Sequence, residues 1–245
     1  MKDDILYGVN PVREALRGSR KAFELFVQTS GTDHRIAKLT ALAEEQGIPV
    51  HRRDRADLER LAANPHHQGV VLRVAPFEYT DLDDFLAARQ ADEPLFLLAL
   101  DGIQDPQNLG ALIRSAACAG VQGVIIPRDR ACGVTPVVEK ASAGAVETVP
   151  VMQVTNLVQA LERLKQAGCW AYGLAGEAGK DMYATDFHGN LVVVVGSEGE
   201  GIRPLVRKHC DGLLAIPQYG GVSSLNASVA GGIVLFEAAR QRCKP

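Results

Sequence analysis

Asn108 and Arg114 in PQNLGALIRSA, Glu198 in VVVGSEGEGI, and Ser224 and Asn226 in IPQYGGVSSLNASVA are the residues of this chain whose types suit a polar reaction. Amides and hydroxyls orient a reacting group through hydrogen bonds, a carboxylate faces a proton or a cation, and a guanidinium grips phosphate. No metal is expected among them. His66 and His67 are adjacent rather than one helical turn apart, and the five cysteines, at 118, 132, 169, 210 and 243, form no CxxC. That pattern argues against both a zinc site and a disulfide framework. The cysteines read as small buried hydrophobes, and the histidine pair as part of a solvated loop.

Each stretch needs an element to hold it. PQNLGALIRSA follows the apolar run LFLLAL, with Asp105 as cap, Pro106 in the first turn, and Leu109, Leu112, Ile113, Ala116 and Ala117 as the buried stripe of a helix closed by Gly120. Asn108 then falls at a strand-to-helix loop, where open parallel sheets place their ligands. Arg114 lies further along the polar side, a position that alone usually means plain surface. LVVVVG stops at Gly196 and gives way to Ser197, Glu198, Gly199, Glu200 and Gly201. Glycines there let the backbone pass close to a ligand and expose its amides. The loop is loosely like a dinucleotide fingerprint, yet it follows roughly a hundred residues of α/β pattern instead of a first strand. Glu198 and Glu200 would repel phosphate, so a cationic or zwitterionic ligand is expected. In the third stretch Gly220 and Gly221 bend the chain into a helix whose first turn is expected to carry Ser223, Ser224 and Asn226.

The rest of the chain divides into three. Residues 1–76 read as a small α/β unit: a helix capped by Asn10 with Pro11 at its first position, a strand at FELFVQ, a helix around IAKLTALAEEQG, a strand at IPVHRR, a short helix near ADLERLAAN and a strand at GVVLRV. His51, Arg52, Arg53 and Arg55 form the densest basic cluster. Residues 77–94, rich in acids, read as a connector with one short helix. Residues 95–245 alternate apolar runs (LFLLAL, GVIIP, TVPVMQV, CWAYGLA, LVVVVG, LLAIP) with helical patterns such as TNLVQALERLKQAG. Strands apolar on consecutive residues are covered on both faces, which predicts a mostly parallel sheet with helices on each side.

The 245 residues, 47% of them hydrophobic, can bury a substantial core. Net charge is −3, which excludes a chain coated in positive charge; residues 1–76 nevertheless carry twelve basic against ten acidic residues, and the remainder fourteen against nineteen. An RNA partner would therefore dock on the first unit. No apolar run approaches a membrane span and MKDDILYGVNP lacks the apolar region of a signal peptide, so a cytoplasmic location with no membrane partner is expected.

The three motifs, PQNLGALIRSA, VVVGSEGEGI and IPQYGGVSSLNASVA, in this order and spacing, resemble the SpoU-type branch of the SPOUT methyltransferases, enzymes that methylate RNA ribose 2′-hydroxyls. YGVNPVREAL and HQGVVL resemble the ends of an L30-like RNA-binding domain. KASAGAVETVPV and CDGLLAIP resemble the subgroup that methylates the 2′-hydroxyl of a guanosine in the peptidyl-transferase centre of 23S ribosomal RNA. The resemblance implies an L30-like domain over residues 1–76, a linker over 77–94, and a catalytic domain over 95–245 that ends in a trefoil knot. It implies S-adenosylmethionine as cofactor, held near Gly196, Ile216 and Leu225, and a homodimer. Asn108, Arg114, Glu198, Ser224 and Asn226 would be the polar site residues. Gln218-Tyr219 departs from the methionine and small residue familiar in the family and would alter the pocket rim. Neutralising an arginine near pH 7 would cost on the order of 7 kcal/mol. Arg114 is therefore expected to act as a cation that binds RNA and polarises the hydroxyl, with the base left open. Transfer RNA as substrate, a noncatalytic ribosome-assembly factor of the same fold, and a Rossmann oxidoreductase are the competing readings.

Overall fold

The computed structural model describes residues 3–29, 33–90, 93–221 and 224–243. Ser223, expected in a helical first turn, and residues 91–92 of the expected connector lie outside the described residues. The chain forms two compact units, Met1–Glu78 with Val134–Thr148, and Tyr79–Gly133 with Val149–Pro245.

The first unit holds a four-stranded sheet, order β1-β4-β2-β3, built from β1 (Asp4–Tyr7), β2 (Ala22–Gln28), β3 (Val50–Arg53) and β4 (Val70–Val74). β4 runs antiparallel to both β1 and β2, and β3 parallel to β2. Helices α1 (Val9–Arg17), α2 (His34–Glu45) and α3 (Arg55–Ala62) connect the strands. Leu6, Val12, Leu16, Leu25, Leu39, Val70 and Leu72 make the core between sheet and helices. Three local features depart from what the sequence suggests. DILY, too short to show alternation, is a strand, and α1 starts after Gly8, which takes φ 95° and has no side-chain cap; Gln68 Oε1 instead accepts from Val9 N at 2.9 Å. Asn10 is already inside the helix. His67 is only 2% exposed, not solvated.

The second unit contains a seven-stranded sheet, order β7-β6-β5-β10-β8-β11-β9, parallel at every pairing. Its strands are β5 (Phe96–Asp101), β6 (Gly123–Pro127), β7 (Val151–Val154), β8 (Trp170–Leu174), β9 (Lys180–Asp181), β10 (Leu191–Gly196) and β11 (Gly212–Ala215). The helices are α4 (Leu82–Ala88), α5 (Pro106–Cys118), α7 (Leu157–Gln166), α8 (Pro204–Lys208) and α9 (Ala227–Arg242). Every residue of β5 and β10 is buried, as their unbroken apolar runs require. Asp81, in the acidic connector, caps α4 by accepting from Asp83 N at 2.8 Å and Asp84 N at 3.2 Å. The cysteines divide: Cys169 is buried, whereas Cys118 and Cys243 are exposed.

Between β6 and β7 the chain visits the first unit, where α6 (Pro136–Ala141) packs against β1 and α1. Its anchor is polar. The Arg20 guanidinium donates to Asp4 Oδ2 at 2.5 Å, Glu139 Oε1 at 2.6 Å and Glu147 Oε1 at 2.8 Å, while its Nε donates to the Ala75 carbonyl at 2.7 Å. One cation thus serves three carboxylates. Glu139 is 2% exposed and its Oε2 has no hydrogen-bond partner. Burial, opposed by the Arg20 charge, pushes its carboxyl from 4.5 up to about 8. Native Glu139 therefore binds more protons than the unfolded chain between these pH values, so its contribution to stability falls as pH rises through that window. Glu139→Gln is expected to flatten the stability profile there; urea unfolding at pH 5 and pH 8 checks this, and an unchanged profile would show Glu139 to be ionised in the native state.

Candidate active site

The site begins with a register. β10 lies beside β5 with Gly196 opposite Asp101, so the loops after both strands leave the sheet at one level although the strands are far apart in sequence. Asp101 is 1% exposed, and a buried carboxylate needs a partner. It accepts from Arg203 N and Nε, both at 2.7 Å, and pairs with the guanidinium at 2.6 Å. That pins the far end of the glycine loop to the end of β5. Within the loop Ser197 and Gly201 exchange backbone hydrogen bonds at 3.1 and 3.0 Å. A Cβ on Gly196 would stand 2.1 Å from the Gly201 carbonyl carbon, so the loop folds back only over a glycine.

The closed loop sets Glu198 against two amides. Asp105 caps α5 by accepting from Gln107 N and Asn108 N, both at 3.2 Å, and Asn108 Nδ2 donates to Glu198 Oε1 at 2.9 Å. Asn226 caps α9. Its Oδ1 accepts from Ser228 N at 2.9 Å, Val229 N at 3.2 Å and Ser228 Oγ at 2.5 Å. With that oxygen committed to the helix start, Nδ2 turns outward and donates to Asn108 Oδ1 at 2.9 Å and to Glu198 Oε1. The α9 cap thereby fixes the Asn226 amide, whose Nδ2 and the Glu198 carboxylate together fix that of Asn108, and one carboxylate accepts the donors of each.

A cavity of about 930 Å³ opens at the carboxyl ends of β8, β10 and β11. Leu174, Ile202, Leu214, Ile216 and Leu225 give it an apolar lining; Gly196, Glu198, Glu200, Ser224 and Asn226 line it as well. Such a position is the usual ligand site of a parallel sheet. Ser224 is exposed and precedes α9 instead of belonging to its first turn, and Ser228 takes the hydroxyl contact with Asn226. Gln218 lines the cavity, while Tyr219 is 97% exposed. Arg114 is exposed on α5, six residues beyond Asn108 or about 9 Å along the axis, and does not line the cavity. The pairs Asp101–Arg203 and Glu177–Arg207 had no place in the sequence reading. The acid ending LFLLALD was the available signal for the first, since a charge closing a wholly buried strand demands a partner.

The SpoU rRNA Methylase family matches residues 95–236, and the family described as RNA 2′-O ribose methyltransferase substrate binding matches residues 5–80. The chain belongs to the SpoU rRNA methylase family. It is 45% identical over 245 residues to the 23S rRNA (guanosine-2′-O-)-methyltransferase RlmB of Shewanella oneidensis, covering 98% of each chain. To RlmB of Escherichia coli K12 it is 42% identical over 243 residues, covering 98% of this chain and 99% of the relative. Among solved structures, the SpoU methyltransferase AviRb of Streptomyces viridochromogenes in complex with AdoMet superposes with a TM-score of 0.81 at 25% identity, covering 98% of this chain and 90% of the other.

Two glycines of the family's second motif separate the constraints. Gly196→Ala is expected to cost about 3 kcal/mol or more, because backbone rather than a movable side chain blocks the new methyl. Gly199→Ala, at φ +84° with open space around it, should cost only about 1–2 kcal/mol from its left-handed backbone. Urea unfolding of both variants checks the order, and equal costs would mean that the loop is not closed on Gly196.

Proposed function

We propose that this chain transfers the methyl group of S-adenosylmethionine to the ribose 2′-hydroxyl of a guanosine in 23S ribosomal RNA. The observation that carries the reading is the meeting of Asn108, Glu198 and Asn226, from three separate motifs, at a cavity lined by Gly196, Ile216 and Leu225. Relatives of nearly equal length bear the name of that activity, and a neighbour in fold binds AdoMet.

The residues present fit this cofactor. The apolar lining suits an adenine ring, the glycine loop admits close backbone approach, and Glu198 and Glu200 offer negative charge to a cation. Bound there, the sulfonium supplies an electrophilic methyl carbon. The protein must then hold the ribose oxygen in line with that carbon, at roughly 3–3.5 Å. Glu198 is the negative charge of the site that the two amides hold in place, and Asn108 and Asn226 set its direction. Arg114 acts as a cation that binds RNA phosphate or ribose and polarises the hydroxyl; the proton passes to solvent late in the transfer, once the arriving methyl group has made the oxygen acidic. Single-turnover methylation by Arg114→Ala with saturating RNA is expected to fall at least about 100-fold, and by Arg114→Lys less; full activity in Arg114→Ala would remove the residue from this role.

The reading extends to a homodimer. Val229, Gly232 and Phe236 recur on one side of α9, where Val229 and Phe236 are about half exposed, and Cys118 of the neighbouring α5 is exposed too. A second copy of the chain covering this face would bring Arg114 of one subunit toward the site of the other. The return of the chain from β11 to α9, which packs on α5 and β10, supports the knotted path expected for the family. A cytoplasmic location follows from a ribosomal substrate; among the described residues no helix is long and apolar enough to cross a membrane. Phe236→Asp is expected to shift the sedimenting mass to that of a single chain and to abolish methylation, and a dimer undiminished by this change would place the interface elsewhere.

A further inference from the structure

A second hollow, of about 520 Å³, lies in the first unit, lined by Gln28, Arg55, Pro65, His66, His67, Gln68, Gly69 and Lys140. Its floor holds an unsatisfied donor. Gly69 N donates to His67 Nδ1 at 3.0 Å, so Nδ1 carries the lone pair and the ring proton sits on Nε2. His67 is 2% exposed, and its Nε2 has no hydrogen-bond partner. Burial also lowers the affinity of the ring for a second proton, which keeps it neutral and Nε2 a donor. The loop around it is fixed, since Gln68 Oε1 accepts from Val9 N at 2.9 Å and Gln68 and Gly69 both take left-handed backbone.

The other charged groups lining the hollow are cations. Arg55 engages Glu59 through its Nε at 3.0 Å, which leaves the two terminal nitrogens of the fork for another acceptor. Lys140, from the excursion between β6 and β7, donates to the His66 carbonyl, lies 5.0 Å from the centre of the Tyr7 ring, and is pulled below its ordinary pKa by burial. A desolvated ammonium and a half-free guanidinium line one space, and an imidazole N–H without an acceptor is buried beneath its surface. They favour a ligand that is anionic and rich in acceptors.

We propose that this hollow binds a phosphate-bearing nucleotide of the RNA substrate, its phosphodiester held by Arg55 and Lys140 beside the buried, unpartnered His67 Nε2–H. The proposal rests on the reading of the chain as an RNA methyltransferase and gives the first unit a defined contact. The excursion 134–148 then has a recognition role, because it delivers Lys140 to the hollow.

The test uses the full chain and a labelled fragment of unmodified 23S ribosomal RNA, with binding followed by anisotropy across a salt series and methyl transfer scored on the same samples. Arg55→Gln and Lys140→Gln are each expected to weaken RNA binding about tenfold and to reduce the slope of log Kd against log salt by about 0.7–1, with the affinity for S-adenosylmethionine unchanged. Wild-type RNA affinity and slope in both variants would overturn the proposal. A second measurement needs no substitution: the Nε2–H resonance of His67 should shift and gain protection from exchange when the RNA fragment is added. A response to inorganic phosphate but not to RNA, or to neither, would also overturn it. If RNA moves that resonance while the unaltered chain transfers no methyl group, the hollow stands as an RNA site and the methyltransferase reading fails.

Discussion

The backbone of residue 196 touches the backbone of residues 201 and 202 so closely that no side chain fits between them. Everything at the candidate active site depends on that closure. It turns the chain back at the end of a fully buried strand, and the Asp101–Arg203 pair ties the returning segment to the neighbouring strand. Glu198 is then carried on a short, doubly held loop instead of a free one. The buried carboxylate of Asp101 would be costly without its partner, so the contact is one that the fold cannot drop without consequence.

On this base the polar site needs little further apparatus. Asn226 is the side-chain cap of α9, held by the unpaired amides of that helix start, and Asn108 sits in the first turn of α5 behind its own cap, Asp105. Asn226 satisfies its own helix with its oxygen and so must present its nitrogen to the site. The glutamate that receives both amides is exposed, so the network contributes modestly to stability. Its use is orientation. A carboxylate held in one direction beside a largely apolar cavity, with Glu200 on the same loop, favours a cationic ligand over a phosphate.

The first unit solves a different problem with the same chemistry. Arg20 gathers three carboxylates from distant parts of the chain, two of them on the excursion 134–148, and in doing so seats α6 beside β1. Polar groups this deeply buried hold register at a cost, seen in the unpaired Oε2 of Glu139. In the same unit His67 keeps a buried donor with no acceptor.

Local physics was legible in the sequence. Unbroken apolar runs at 95–100 and 191–196 had to be strands buried on both faces, Asp105 and Pro106 had to open a helix, and glycines at 196, 199 and 201 had to mark a tight loop. The motifs fixed the family on their own. The tertiary structure decided the rest, for one reason: each missed feature is a contact between residues far apart along the chain. Gly196 faces Asp101 only because β10 inserts beside β5, and Arg203 anchors the glycine loop only through an acid 102 positions earlier. Glu139 belongs with Arg20 across 119 positions. A histidine in a polar loop reads as solvated until the fold buries it, since burial is a property of what the whole chain brings alongside and not of the residues next in line.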